Sequence, residues 1–280
     1  MREIRAERIS EAVAELCVRA NYRLGEDVMR ALEEALEREN SDAGRWALEQ
    51  VVRNARIAME GEFPICQDTG LAVVFVRVGQ EVYVTGGSLE EAVQEGVRRG
   101  YREGYLRKST VRDPLRRENT GDNTPAVVHY RIVPGDGLEI ALMAKGAGSE
   151  NMSGVRMLTP AEGIEEVKAF VVEQVRTAGA KPCPPVIVGV GIGGTFERCA
   201  LLAKEALLRP VGERHPDPFY AEMEEELLAE INALGIGPQG FGGKVTALDV
   251  HIEAVPCHIA SLPVAVNLQC HAARHATVRL

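Results

Sequence analysis

The chain has 280 residues, a formal charge of −9 and 45% hydrophobic residues, enough for one large domain or two small ones with a sizeable core. The acidic balance argues against nucleic acid as a main partner, because such binding rests on basic patches. No apolar run is long enough to span a bilayer, and the acidic, helical N-terminus does not resemble a signal peptide. The cytoplasm is therefore the expected location, where the six cysteines are expected as thiols or metal ligands rather than disulfides.

Residues from about Arg2 to Glu60 read as helices. Ile9, Ala12, Val13 and Leu16 recur at helical spacing, and Ser41 or Asp42 is placed to cap the helix carrying Trp46, Leu48, Val51 and Val52. Cys17 lies on the first apolar face, a packing position. Pro64-Ile65-Cys66-Gln67-Asp68-Thr69-Gly70 then sets a thiol, a carboxamide, a carboxylate and a hydroxyl on one turn before the apolar strand Leu71–Val78. A second strand, Glu81–Thr85, follows Gly79-Gln80 and predicts a hairpin. Ser88 and Glu91 have the spacing of a capping box for a helix from Leu89 to about Tyr105.

The polar stretch from Leu106 to Pro125 has no periodicity. It is either a solvated loop or one that brings Arg107, Asn119 or Thr120 to an anion. Ala126–Val133 and Leu138–Ala144 read as strands paired across Pro134–Gly137. Lys145–Asn151 is glycine-rich, a plain loop or an anion-binding one. Thr159-Pro160 predicts a helix start running to about Ala178. Pro182-Cys183-Pro184-Pro185 leads into the strand Val186–Val190. Gly189, Gly191 and Gly194 match a dinucleotide-binding spacing, but no second strand ending in an acid follows, so the match reads as a decoy. Phe219–Leu234 predicts a helix, and Val245–Val255 a strand with Asp249 and His251 on one face. Cys257-His258 and Cys270-His271 come after it. No internal repeat or domain-splitting linker is visible. The mixture of helical and extended segments predicts an α+β fold with a helical N-terminal region and mixed or antiparallel sheets, in a single domain over 1–280.

Cys66, Cys183 and Cys270 each sit at a turn or strand end, unlike Cys17 and Cys199 on helix faces. No Cys-x-x-Cys pair occurs. Three isolated thiolates suit a cubane iron–sulfur cluster with one iron lacking a protein ligand. Three unrelated thiols is the other reading that spacing leaves open.

Cys66–Gly70, Asn119–Ala126, Ala144–Ser149, Cys183-Pro184-Pro185, Gly193-Gly194-Thr195, Gly242-Gly243-Lys244 and the Cys270 segment, taken in order, resemble the class I (iron–sulfur) fumarate hydratase family, which includes L-tartrate dehydratase. The resemblance covers nearly the whole chain. It implies the alpha subunit of an oxygen-sensitive hydro-lyase that hydrates fumarate to (S)-malate, with L-tartrate dehydratase as the alternative. It also implies a beta subunit as partner, in a heterotetramer, which supplies the base acting on the substrate carbon. By motif position it implies a [4Fe-4S] cluster on Cys66, Cys183 and Cys270. Asp68 and His258 would handle protons, and Gln67, Arg107 and Gly148 would bind the dicarboxylate. His258 stands twelve residues before Cys270. Outside this class, a nicotinamide-binding oxidoreductase built on the glycine motif and a non-catalytic iron–sulfur, nucleotide- or partner-binding module remain as alternatives.

Overall fold

The computed structural model describes residues 1–61 and 63–280. In chain order its elements are β1 (Arg2–Arg5), α1 (Ala6–Tyr22), α2 (Glu26–Arg38), α3 (Asp42–Met59), β2 (Leu71–Gly79) and β3 (Val82–Thr85). Then come α4 (Leu89–Glu103), β4 (Val127–Val133), β5 (Leu138–Lys145), α5 (Ala147–Glu150), β6 (Gly154–Leu158) and α6 (Gly163–Ala178). The chain closes with β7 (Val186–Gly193), α7 (Phe196–Ala206), α8 (Pro218–Ala233), β8 (Ala247–Val255), β9 (Leu262–Gln269) and β10 (His275–Arg279). The class is α+β, as the sequence predicts. The residues fall into two compact units, Met1–Gly25, Ala55–Ala147 and Arg274–Leu280 forming one, and Glu26–Asn54 with Gly148–Ala273 forming the other.

The first unit is a mixed four-stranded sheet in the order β10-β5-β2-β4. Ala72, Val74 and Val76 of β2 and Leu138, Ile140 and Leu142 of β5 bury one face against α1 and α4. Each such aliphatic side chain, fully buried, contributes about 1.5–3 kcal/mol. Gly96 and Gly100 let the two helices close: a β-carbon on them would stand 2.5 Å from Val13 Cβ and 2.7 Å from Cys17 Cβ. Cys17 is thus a packing residue, and burial pushes its thiol pKa up.

Three local pairings differ from expectation. Arg2–Arg5 is a strand, not helix, because it pairs in parallel with β3. β2 and β3 therefore form no hairpin. β4 and β5 do not pair with each other either. The apolar β2 lies between them, parallel to β4 and antiparallel to β5. A strand buried on both faces takes the centre of a sheet, and the turn at Pro134–Gly137 crosses over it.

The second unit holds the sheet β6-β9-β7-β8. β7 reads Val-Ile-Val-Gly-Val-Gly-Ile-Gly, and its two faces do different things. Val186, Val188, Val190 and Ile192 pack with α6 and α8. The glycines of the other face admit α7 at backbone distance: β-carbons on Gly189 and Gly191 would meet the carbonyls of Ala203 and Cys199 at 2.0 Å each. The dinucleotide-like spacing is therefore a helix-packing surface. The α6 helix begins at Gly163 rather than at Pro160, because the Thr159 N–H and hydroxyl close a turn onto Glu162 Oε2 at 2.6 and 2.9 Å. Ser41 caps α3 through Gly44 N–H at 3.2 Å, and Ser88 caps α4 through Glu91 N–H at 3.1 Å.

Candidate active site

The turn before β2 is pinned by its backbone. Ile65 N–H donates to the Asn21 carbonyl at 2.9 Å. The Tyr101 hydroxyl, buried on α4, donates to the carbonyls of Thr69 and Gly70 at 2.7 and 3.2 Å. Gly70 has φ +74, and a β-carbon there would meet the Lys145 backbone at 2.8 Å, so only glycine lets the turn enter the sheet. On this frame Cys66 and Asp68 are half-buried and Gln67 is exposed. The Cys66 thiol faces Gln67 Oε1 at 3.3 Å. The Asp68 carboxylate accepts Gly70 N–H at one oxygen and Ala147 N–H at the other, each at 3.0 Å.

Arg107 belongs to the same cluster. Its carbonyl accepts the Thr69 hydroxyl at 3.0 Å, while its guanidinium is exposed. The loop that follows is tightly built. Buried Asn123 accepts from the N–H groups of Ser109 and Thr110 at 2.7 and 3.1 Å and donates to the Gly70 carbonyl at 3.3 Å. Asn119 and Thr120 close the loop on itself, through Lys108 and Thr110. Of the three anion-binding candidates here, only Arg107 keeps its polar head outward. Asp122 accepts Thr124 N–H and its hydroxyl at 3.0 and 2.8 Å and Arg98 Nε at 3.1 Å. Burial works against its ionisation, but these donors outweigh that and hold its pKa down at about 2.

In the second unit Cys183 is exposed, with φ +56 in the left-handed region. Its carbonyl lies 3.0 Å from His271 Nδ1, which stands 3.0 Å from Gln239 Nε2 as well. Gln239 also donates from its backbone and side chain to the Pro184 carbonyl at 2.8 and 2.7 Å. The Cys183 segment and the Cys270-His271 segment are thereby held side by side. Cys270 is half-buried at the end of β9, its thiol 3.6 Å from the Ala272 carbonyl. His258 sits in the exposed loop between β8 and β9. Its Nδ1 accepts Ala260 N–H at 3.1 Å, so its proton is carried on the exposed Nε2. Gly148 faces the Lys181 carbonyl, whereas Gly146 packs on Asp68: a β-carbon on Gly146 would stand 3.3 Å from Asp68 Oδ2.

Two further groups are structural. Asp249 and His251 of β8 are buried and bonded at 3.1 Å, with Gly212 N–H and Arg214 also donating to Asp249. Glu39, 2% exposed, accepts the N–H groups of Asn40, Ser41, Lys244 and Val245. Gly242-Gly243-Lys244 thus cradles this chain's own carboxylate.

The thiols divide into buried and accessible sets. Cys199, like Cys17, is buried on a helix and its pKa is raised by burial. Cys66, Cys183 and Cys270 reach solvent at loop or strand ends, as does Cys257, whose thiol donates to the Ser261 carbonyl at 3.2 Å, and no disulfide is formed among the described residues. Thiols that bind iron must be accessible, and in that respect Cys66, Cys183 and Cys270 fit as donors. Cys66 belongs to the first unit and Cys183 and Cys270 to the second. Among the described residues no group of three His, Cys, Asp or Glu side chains is gathered to hold a metal ion. Sequence reading missed the supports Asn21, Tyr101 and Gln239, which carry no motif signal of their own, and the supporting role of Asn123, which lies inside the Asn119–Ala126 motif.

Known proteins match this chain along most of its length. The family model described as fumarate hydratase (Fumerase) matches residues 10–279. A Methanocaldococcus jannaschii protein with the provisional name L(+)-tartrate dehydratase subunit alpha is 46% identical over 279 residues, 98% of each chain. L(+)-tartrate dehydratase subunit alpha of Escherichia coli strain UTI89 is 36% identical over 288 residues, covering 98% of this chain and 91% of that one. The K12 protein of that name is 35% identical over 286 residues, covering 97% and 90%. Matched along almost its whole length, the chain belongs to the class I fumarate hydratase family.

Proposed function

We propose that this chain is the alpha subunit of an iron–sulfur hydro-lyase that dehydrates L(+)-tartrate together with a beta subunit. The observation that carries the substrate is the near full-length match to relatives named L(+)-tartrate dehydratase subunit alpha. Dehydration removes a hydroxyl from one carbon and a proton from its neighbour. The resulting enol becomes oxaloacetate by moving a proton from oxygen to carbon.

Cys66, Cys183 and Cys270 would hold a [4Fe-4S] cluster, which when bound supplies a Lewis acid with an open position for the substrate hydroxyl. The exposed Arg107 fork binds a substrate carboxylate through two parallel N–H donors. Gln67, exposed beside Cys66, offers an amide to the same ligand, and Gly148 a backbone N–H. Asp68 and His258 handle the proton that accompanies the leaving hydroxyl, with Nε2 of His258 as the donor. The base that takes the carbon-bound proton comes from the beta subunit.

The family model's name supports a second reading, hydration of fumarate. Tartrate differs from malate by one hydroxyl, and a site built to bond that hydroxyl rejects the analogue lacking it by about 10⁴-fold or more. The test is anaerobic co-expression with the beta subunit, then turnover of L(+)-tartrate and (S)-malate side by side. Higher kcat/KM for tartrate supports the proposal, and preference for malate replaces it with the second reading. Iron analysis of Cys66→Ser, Cys183→Ser and Cys270→Ser should show loss of the cluster in each. Cys17→Ala and Cys199→Ala should keep it, and retention in any of the first three removes that cysteine from the ligand set.

A further inference from the structure

Arg274 is fully buried at 1% exposure, yet it follows the last of the three candidate cluster cysteines by only four residues. Nη1 donates to the main-chain carbonyl of Asp68 and to Asn21 Oδ1, the latter at 3.3 Å. Neither acceptor is a carboxylate. Its Nε is buried without a hydrogen-bond partner among the described residues. A buried guanidinium is costly, so a chain that keeps one in such surroundings has a use for it beyond packing.

Gly146 shows what that use is. A β-carbon on Gly146 would stand 3.2 Å from Arg274 Nη2 and 3.3 Å from Asp68 Oδ2. Guanidinium and carboxylate thus both border the space that a side chain on Gly146 would fill. Asn21 completes the frame, accepting Ile65 N–H at its carbonyl and Arg274 at its side chain. The turn is therefore gripped on both sides of Cys66, at Ile65 through Asn21 and at Asp68 through Arg274.

We propose that Arg274 is a positioning residue for the hydro-lyase reaction, fixing the Asp68 backbone and, across Gly146, the direction of its carboxylate. The inference rests on the reading of Asp68 as an acid–base group. It does not require contact between Arg274 and substrate. Lysine is a poor substitute, because its single nitrogen cannot bond Asn21 and Asp68 as Nη1 does and also fill the place of Nη2 beside Gly146.

The test compares Arg274→Lys, Gly146→Ala and Asp68→Asn in the complex with the beta subunit, using L(+)-tartrate and (S)-malate as probes and iron content to normalise kcat. Arg274→Lys should lower kcat per cluster about 100-fold with KM within threefold. Gly146→Ala, whose methyl enters the gap, should act in the same direction and serves if Arg274→Lys does not fold. In iron-free protein, iodoacetamide should alkylate Cys66 about tenfold faster in Arg274→Lys than in the parent, because the turn is released. Unchanged kcat per cluster and an unchanged Cys66 alkylation rate would overturn the proposal. Full activity in Asp68→Asn would instead overturn the reading of Asp68 and this inference with it. Loss in Asp68→Asn beside normal kcat per cluster in the other two variants would overturn the role of Arg274 alone.

Discussion

Glu39 and Arg107 carry the two residue-scale lessons. Burial works against the Glu39 charge, but the N–H groups of Ser41, Lys244, Val245 and Asn40 together hold its pKa below the usual carboxylate range. A depressed carboxylate stabilises the fold above its unfolded pKa, near 4.3, and that contribution is lost as pH falls through the folded value. Glu39→Gln keeps the size, but turns one acceptor into a donor facing the N–H groups that the carboxylate satisfies. It should lower stability at pH 7 by about 2–3 kcal/mol, read from urea unfolding. In sequence, Gly242-Gly243-Lys244 is one of the segments that carry the family resemblance. The occupant of this cradle is internal, supplied by a residue more than two hundred positions earlier. Arg107 is the opposite case: its backbone is fixed through Thr69 and its guanidinium is left to solvent. Arg107→Ala should raise KM for the dicarboxylate about 10- to 100-fold, the worth of a charge-assisted pair, with iron content unchanged.

At the scale of elements, the glycine-rich strand β7 shows how a motif can mislead and the pleat correct it. Alternate positions go to opposite faces, so valines and glycines separate cleanly, and the glycines meet α7. Gly191→Ala would place a methyl on the Cys199 carbonyl, and overpacking of this kind should cost about 3 kcal/mol, measured as a shift in the denaturant midpoint. The long helices were legible from periodicity, including the Ser88 cap and the helix Pro218–Ala233, whereas the strands β1, β6, β9 and β10 were not. Pairing was not. The partners of β3 and β4 are β1 and β2, and neighbouring strands in sequence gave the wrong pairs; only for β4 does burial of both faces of its partner account for the choice.

For the whole molecule, the two compact units are interleaved in sequence, with boundaries near positions 25, 54, 147 and 273. The 54 boundary falls inside a helix, so no linker composition marks the division. No helix among the described residues is long and apolar enough to cross a membrane. Glu39 in one unit and Asp122 in the other are both depressed carboxylates. Stability should be flat from neutral pH to about 5 and then fall between about 4 and 2 as they protonate. Circular dichroism melts across that range should show the fall, and Asp122→Asn should make the profile shallower.

Legible in the sequence alone were the family, the long helices and the contrast between Cys17 and Cys199 on helix faces and Cys66, Cys183 and Cys270 beside turns. Those follow from short-range properties: motif order, hydrophobic period, and whether a thiol lies on an apolar helix face or beside a turn. Tertiary structure alone decided the sheet orders, the occupant of the Gly242–Lys244 cradle, and the support of the Cys66 turn by Asn21, Tyr101 and Arg274. Each of those depends on groups far apart in the chain meeting to satisfy buried charges and backbone N–H and C=O groups, and no local pattern records such a meeting.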